Sequence, residues 1–388
     1  YTYYLENEQK TSNTTNSYTY TGLTAGTSYT LKVVVKDNAG KTTEKSTTIT
    51  IEKSEIQKAK ESGERFGSTV SKKDDEGNSI WIPGGFGVAE DSATNEDEGI
   101  VIEDSKGNQF VWVPVKDYTT MYIEGTKTLN GVTTQTTVYS KLRKRSGDSY
   151  TITTPGDESG IREPDVLSSY DTDSQYYSIL GASSTKDMAD KMVAEYKATY
   201  ESIKKYKGFY IGRYELTGSI DSPTVRKDAN VIGTQNWYNL YKACGKVAGN
   251  EYVQSTMISG NQWDELMDWL IDTGAKSEDE INKDSRTWGN YKDSEGEAAE
   301  GSGTRRTAGY NEAWKANNIY DLAGNVYEWT NMSVTNSQNK EARIKFGGCA
   351  SNSGVSNAVG RTNLTTPLFS KDDGATRNVG TRAYLCIK

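Results

Sequence analysis

The chain has 388 residues, 53 acidic and 45 basic side chains, no histidine and a formal net charge of −8. No basic excess is available to neutralise phosphates, which argues against a nucleic-acid partner, and a chain without histidine has neither Ser-His-Asp nor Cys-His nucleophile activation nor His-ligated zinc or iron. No aliphatic run exceeds three residues, as at Val33-Val34-Val35, too short for membrane insertion as a helix.

The length suits one large domain or two to three smaller ones. The chain opens at Tyr1 without an initiator Met or a leader pattern and reads as part of something longer. Cys244, Cys349 and Cys386 are an odd set with no CxxC spacing, so they read as small buried hydrophobes rather than a disulfide framework. Twenty-six tyrosines against six phenylalanines fit either an exposed recognition surface or a Thr/Tyr-rich β protein.

Residues 1–52 alternate with period two. Ser17–Leu23, Gly26–Asp37 and Ser46–Ile51 read as strands, with a turn at Asn38-Ala39-Gly40. The stretch from Gly22 to Gly40 resembles the later strands of a fibronectin type III sandwich. About 50 residues make half of such a domain, so a partial β-sandwich weakly anchored to the rest is expected. Residues 53–64 read as a short charged helix or linker, and the main domain is expected to occupy residues 65–388.

Ile80–Phe86 and Phe110–Val115 are apolar strands, and residues 116–182 are polar and weakly patterned with a hairpin turn at Asn130-Gly131. Glu163-Pro164-Asp165 is similar to a sugar-binding tripeptide of lectins but lies outside the expected long loop, and a loop proline explains it. Ser184 or Thr185 caps a helix to about Tyr206, with Met188, Met192, Tyr196, Tyr200 and Ile203 on one face. Gly208–Thr217 follows as a strand. Trp237–Cys244 and Asn261–Leu270 read as helices, the second with Trp263, Leu266, Met267 and Leu270 facing the core. Residues 291–316 form a charged, Gly-rich loop in which Tyr310 and Trp314 are core anchors or ligand contacts.

The C-terminal part carries Asn318-Ile-Tyr-Asp-Leu-Ala-Gly-Asn-Val-Tyr-Glu-Trp-Thr330, then Phe346-Gly-Gly-Cys349, then Gly380-Thr-Arg-Ala-Tyr-Leu385. In that order these resemble the motifs of the sulfatase-modifying, formylglycine-generating branch of the C-type lectin fold. Phe209–Thr217 and Trp288-Gly-Asn290 match the same family's earlier segments. The resemblance implies an α+β, C-type lectin-like domain with insertions at 116–182 and 291–316.

The oxidase members of that family need two cysteines after the "GGS" strand, and soft thiolates are what bind Cu(I). Ala350–Arg361 contains none, and Cys349 is a lone thiol replacing a serine. The related three-histidine iron chemistry is impossible without histidine. No catalytic residue is therefore assigned.

The segment fits better the variable proteins of diversity-generating retroelements, in which adenine-directed mutagenesis randomises surface positions near the C-terminus. Such codons cannot yield Lys, Glu, Gln, Met or Trp, and Cys349–Ser370 contains none of them, although Thr11–Leu31 lacks them too. The resemblance places ligand contacts at Ala350, Ser351, Asn352, Ser356, Asn357, Val359, Thr362, Asn363 and Leu364. Gly347, Gly348, Arg361, Gly380 and Arg382 are expected to hold the scaffold. No cofactor is required, but the family's calcium site maps onto Asp321, Gly324, Val326 and Glu328. The expected function is non-enzymatic, diversified binding of a protein or glycan on a target cell surface, with the chain displayed outside the cell on a phage tail or bacterial surface. A fixed-specificity adhesin or lectin is the alternative.

Overall fold

A computed structural model describes residues 1–124, 128–129, 132–133, 138–146, 149–153, 178, 181–233, 235–335, 341–353, 356–360, 362–364 and 378–388. The turn expected at Asn130-Gly131, the Glu163-Pro164-Asp165 tripeptide and Arg361 lie outside these residues.

Strands β1 (Thr2–Leu5), β2 (Glu8–Ser12), β3 (Ser28–Lys36) and β4 (Thr42–Thr50) form one antiparallel sheet in the order β2-β1-β3-β4. The alternating stretch at Ser17–Leu23 is not a strand. Tyr18 instead stacks on Tyr3 at 5.5 Å between ring centroids, and the Tyr20 hydroxyl donates to the Tyr4 carbonyl at 2.9 Å. Alternation reports that one side of a segment faces a surface, not that its backbone is paired. The β1–β2 hairpin is missed because its turn has no glycine; Glu6 takes the left-handed conformation, with φ 55°. Among the described residues, no hydrogen bond or ion pair joins residues 1–52 to anything beyond Glu61.

Helix α1 (Glu55–Ser62) starts at Ser54, whose side chain accepts from the Gln57 N–H, and ends at left-handed Gly63. It is not a free linker. Ile56 and Ala59, three residues apart, are buried in one cluster with Phe66, Ile80 and Ile82. Its charged positions face outward, so the packed core begins about ten residues before the expected boundary at Arg65.

Strands β5 (Val70–Lys73) and β6 (Ser79–Ile82) pair as a hairpin; β7 (Phe86–Val88), β8 (Val101–Asp104) and β9 (Gln109–Pro114) follow. Two of the connecting turns share a device. Asp74 Oδ1 accepts the N–H groups of Glu76 and Asn78, and Asp104 Oδ1 accepts those of Lys106 and Asn108. The carboxylate closes the loop locally, as Asp does in such turns.

Helix α2 (Thr185–Tyr206) is capped by Ser184 and buries the five side chains expected of its apolar face. The buried strand β10 (Gly208–Gly212) follows, then α3 (Trp237–Val247), β11 (Val253–Met257), α4 (Gly260–Asp272) and the short α5 (Glu278–Asn282). The C-terminal part supplies β12 (Tyr327–Thr335), β13 (Glu341–Phe346), β14 (Thr362–Leu364), β15 (Val379–Thr381) and β16 (Ala383–Ile387).

Two sheets organise these strands into an α+β fold. The larger has the order β11-β16-β10-β9-β8-β7, so the last strand of the chain lies inside the sheet, antiparallel to both neighbours. The smaller has the order β14-β13-β12-β15, with β12 and β15 parallel. The larger sheet is buried on both faces with period two. Phe110, Trp112, Tyr210 and Leu385 join α3 in one core; Val111, Val113, Phe209, Ile211 and Tyr384 join α4 in the other.

Tyrosine is chiefly a core residue here. Tyr210, Tyr214, Tyr238, Tyr291 and Tyr384 are all within 1% of complete burial, whereas Tyr1, Tyr18 and Tyr310 are the exposed ones among the described residues. A buried ring can still satisfy its hydroxyl, as Tyr206 does on the Lys388 carbonyl at 2.7 Å. All three cysteines are free and buried, as expected. Trp314 is a core anchor, its indole donating to the Ala298 carbonyl at 2.9 Å. No helix among the described residues is long and apolar enough to cross a membrane.

Candidate functional site

The candidate site grows out of the turn Asp321–Glu328, which brings together β13, β15 and the loop at Asn290. Asp321 and Asn325 both have left-handed backbones, with φ 61° and 56°, as does Gly324 at 83°. Glycine is required at Gly324, because a Cβ there would sit 2.0 Å from the Asn290 carbonyl oxygen. That close approach lets the Asn290 backbone pair with the turn: its N–H donates to the Ala323 carbonyl, and its carbonyl accepts from the Asn325 N–H, both at 2.9 Å.

Side chains then lock the turn from behind. Asn325 Nδ2 donates to Glu215 Oε2 at 2.6 Å, and Asn325 Oδ1 accepts from Asn290 Nδ2 at 3.0 Å and from the Arg306 N–H at 2.9 Å. Glu215 Oε1 accepts from the Val326 N–H at 3.2 Å. Glu215, Asn290 and Asn325 are completely buried. None was assigned a role from sequence, although Glu215 and Asn290 both fall in segments that carry the family resemblance.

Arg382, placed by the sharp join between β15 and β16, is fully buried. Its Nη2 and Nε donate to the two Glu328 oxygens at 2.7 and 3.0 Å, its Nη1 to the Gly212 carbonyl at 2.9 Å, and Nη2 again to the Tyr320 carbonyl at 2.8 Å. Gly380 is needed beside it, since a Cβ would lie 2.9 Å from both the Ile232 carbonyl and Val326 Cγ2. Arg382 and Gly380 thus hold the scaffold as expected.

Of Asp321, Gly324, Val326 and Glu328, the set expected to hold calcium, Glu328 is committed elsewhere. Calcium takes six to eight oxygens, including free carboxylates, and both Glu328 oxygens already face a buried guanidinium. One Asp321 oxygen accepts the Gly309 N–H at 2.7 Å, while its Oδ1 is buried without a protein donor. The turn instead concentrates Glu215, Asp321 and Glu328 around one arginine. Burial drives the Glu215 carboxyl well above its ordinary range, with Asp321 and Glu328 adding repulsion. Burial likewise pushes Asp321 up to about 7 and raises Glu328, against the pull of Arg382. One or more of these acids therefore keeps its proton near neutrality.

The expected ligand segment runs over this platform. Gly347 and Gly348 are left-handed, with φ 82° and 74°. Successive backbone groups are tied down: the Gly347 carbonyl accepts from Tyr291 Oη at 2.7 Å, the Ala350 N–H donates to the Asn325 carbonyl at 3.0 Å, and the Asn352 carbonyl accepts from the Lys292 N–H at 2.8 Å. Further on, the Ser356 carbonyl accepts from the Ser285 N–H at 2.7 Å, and the Ala358 carbonyl accepts from Trp263 Nε1 at 3.1 Å.

The side chains divide. Ser351 is exposed, and Asn352, Ser356, Asn357 and Val359 are half-buried. Ala350 is not part of an exposed patch: it is 1% exposed, turned inward where its backbone bonds the Asn325 loop. Asn352 is partly structural, because its Oδ1 accepts the Cys349 N–H at 2.7 Å. Thr362, Asn363 and Leu364 are described as backbone only and form β14 on β13. Cys349 has Ser351 Oγ at 3.2 Å rather than a second thiol. No protein-family model matches the chain, and no curated protein matches it.

Proposed function

We propose that the main domain is a C-type lectin-like domain of the formylglycine-generating type that has kept the scaffold and uses it for binding rather than oxidation. Its binding surface is the segment from Cys349 to Leu364, in the manner of a variable protein of a diversity-generating retroelement. Its ligand is a protein or glycan on a target cell, met outside the cell on a phage virion or bacterial surface. One observation carries the reading: the described backbone between Gly347 and Ala358 is pinned by Tyr291, Lys292, Asn325, Ser285 and Trp263, while the Ser351 side chain is exposed and that of Ser356 half-buried. A fixed backbone with open side chains tolerates changes of side chain without changes of fold. The inward Ala350 and the bracing Asn352 reduce the number of freely variable positions, which favours the fixed-specificity adhesin as the second reading.

The test is a displayed library randomised at Ser351 and Ser356, panned against glycan and cell-surface protein panels. The reading expects folded variants with altered ligand choice. Loss of folding in most variants would refute it. Unchanged ligand choice in folded variants would move the site elsewhere.

A further inference from the structure

A second polar site lies away from the Asp321 turn, where α2, α3, α4, β11 and β12 converge. A small cavity of about 20 Å³ is lined there by Glu195, Tyr241, Thr256, Gln262 and Asn331, with Met192 among its apolar neighbours. The Tyr241 hydroxyl donates to Glu195 Oε1 at 2.7 Å, and the Thr256 hydroxyl donates to the same oxygen.

Two of the lining residues each have one committed atom and one uncommitted atom. Gln262 is 1% exposed; its Oε1 accepts the Ser259 N–H at 2.9 Å, which fixes the amide with Nε2 enclosed and without a protein acceptor. Asn331 Nδ2 donates to the Met257 carbonyl at 3.0 Å, which leaves Oδ1 enclosed and without a protein donor. An enclosed amide donor and an enclosed amide acceptor are each destabilising if left unsatisfied. Two such atoms on one cavity call for a single partner that both accepts and donates.

We propose that this cavity is a specific site for one ordered water molecule, which accepts from Gln262 Nε2 and donates to Asn331 Oδ1. The volume fits: one water needs roughly 10–15 Å³ of such space and two to four polar partners. A metal cation does not suit the site, because the Gln262 amide would point its protons at it. The water is a mortar joint. It links α4, through Gln262, to the middle of β12, through Asn331, beside the carboxylate that α2 contributes.

A crystal structure of the full chain at about 1.5 Å tests this directly, at a resolution where ordered waters are resolved individually. One full-occupancy peak within hydrogen-bond distance of Gln262 Nε2 and Asn331 Oδ1 is expected. A dry cavity, or either amide turned onto a protein partner, overturns the proposal. Variants give a second readout. Asn331→Leu and Gln262→Met should each lower Tm by a few degrees. Because they share one water, the double variant should lose less than the sum of the two. Strict additivity would overturn the bridge.

Discussion

Replacing Arg382 by methionine isolates the charge balance on which the turn depends. The guanidinium is completely buried and donates to both Glu328 oxygens and to the Gly212 and Tyr320 carbonyls. Removing one member of a buried pair while leaving the other costs about 3–5 kcal/mol. At roughly 2 °C per kcal/mol, as for a large domain, that is a fall of about 6–10 °C in Tm. The loss should depend on pH, with a sign fixed by the remaining acids. Glu215, Asp321 and Glu328 would share a pocket with no cation, and protonation is their remaining escape. The deficit should therefore be largest at pH 8 and clearly smaller at pH 5. Arg382→Met/Glu328→Met, with no orphan carboxylate from the pair, should recover much of it. Thermal melts of the three proteins at both pH values give the result. A single-variant loss below about 1 kcal/mol, well under the range for a broken buried pair, or a loss equal at both pH values, would refute the reasoning.

Four further outcomes follow from the same geometry. Asp321 is raised from 3.8 to about 7, so the folded state holds its proton more tightly than the unfolded chain. Its contribution is complete below about pH 4 and is lost as pH rises through 7, so Asp321→Asn should flatten the fall in stability over that window. Gly324→Ala should cost several times more than Gly274→Ala, both being left-handed, because a Cβ meets the Asn290 carbonyl at the first and nothing within 4 Å at the second; denaturant midpoints measure the difference. Chelation with EDTA should leave Tm unchanged, since both Glu328 oxygens serve Arg382; a drop reversed by calcium alone would show that the turn does hold the ion. Deleting residues 1–52 should leave the main transition in place, because no hydrogen bond or ion pair among the described residues ties that sheet to the main core; a large loss would expose a docking contact.

What the sequence determined by itself is the local grammar. The apolar face from Met188 to Ile203, the cap at Ser184, the strands at Phe110 and Phe209, and the burial of Trp263 and Leu270 were all legible, because 3.6-residue and two-residue periods depend only on near neighbours. The glycines at 347, 348 and 380 were also legible as backbone positions. Tertiary structure decided the rest. The pattern at Ser17–Leu23 could not say whether its backbone was paired, and the charged run at 53–64 hid two inward positions, Ile56 and Ala59. Most tellingly, Glu328 read as a metal ligand until the fold placed Arg382, 54 residues after it, against both of its oxygens. Glu215, more than a hundred residues before Asn325, joined the same pocket. An acid's role follows from the charge and solvent around it, and here those were supplied by segments far apart in the chain, which no local pattern encodes.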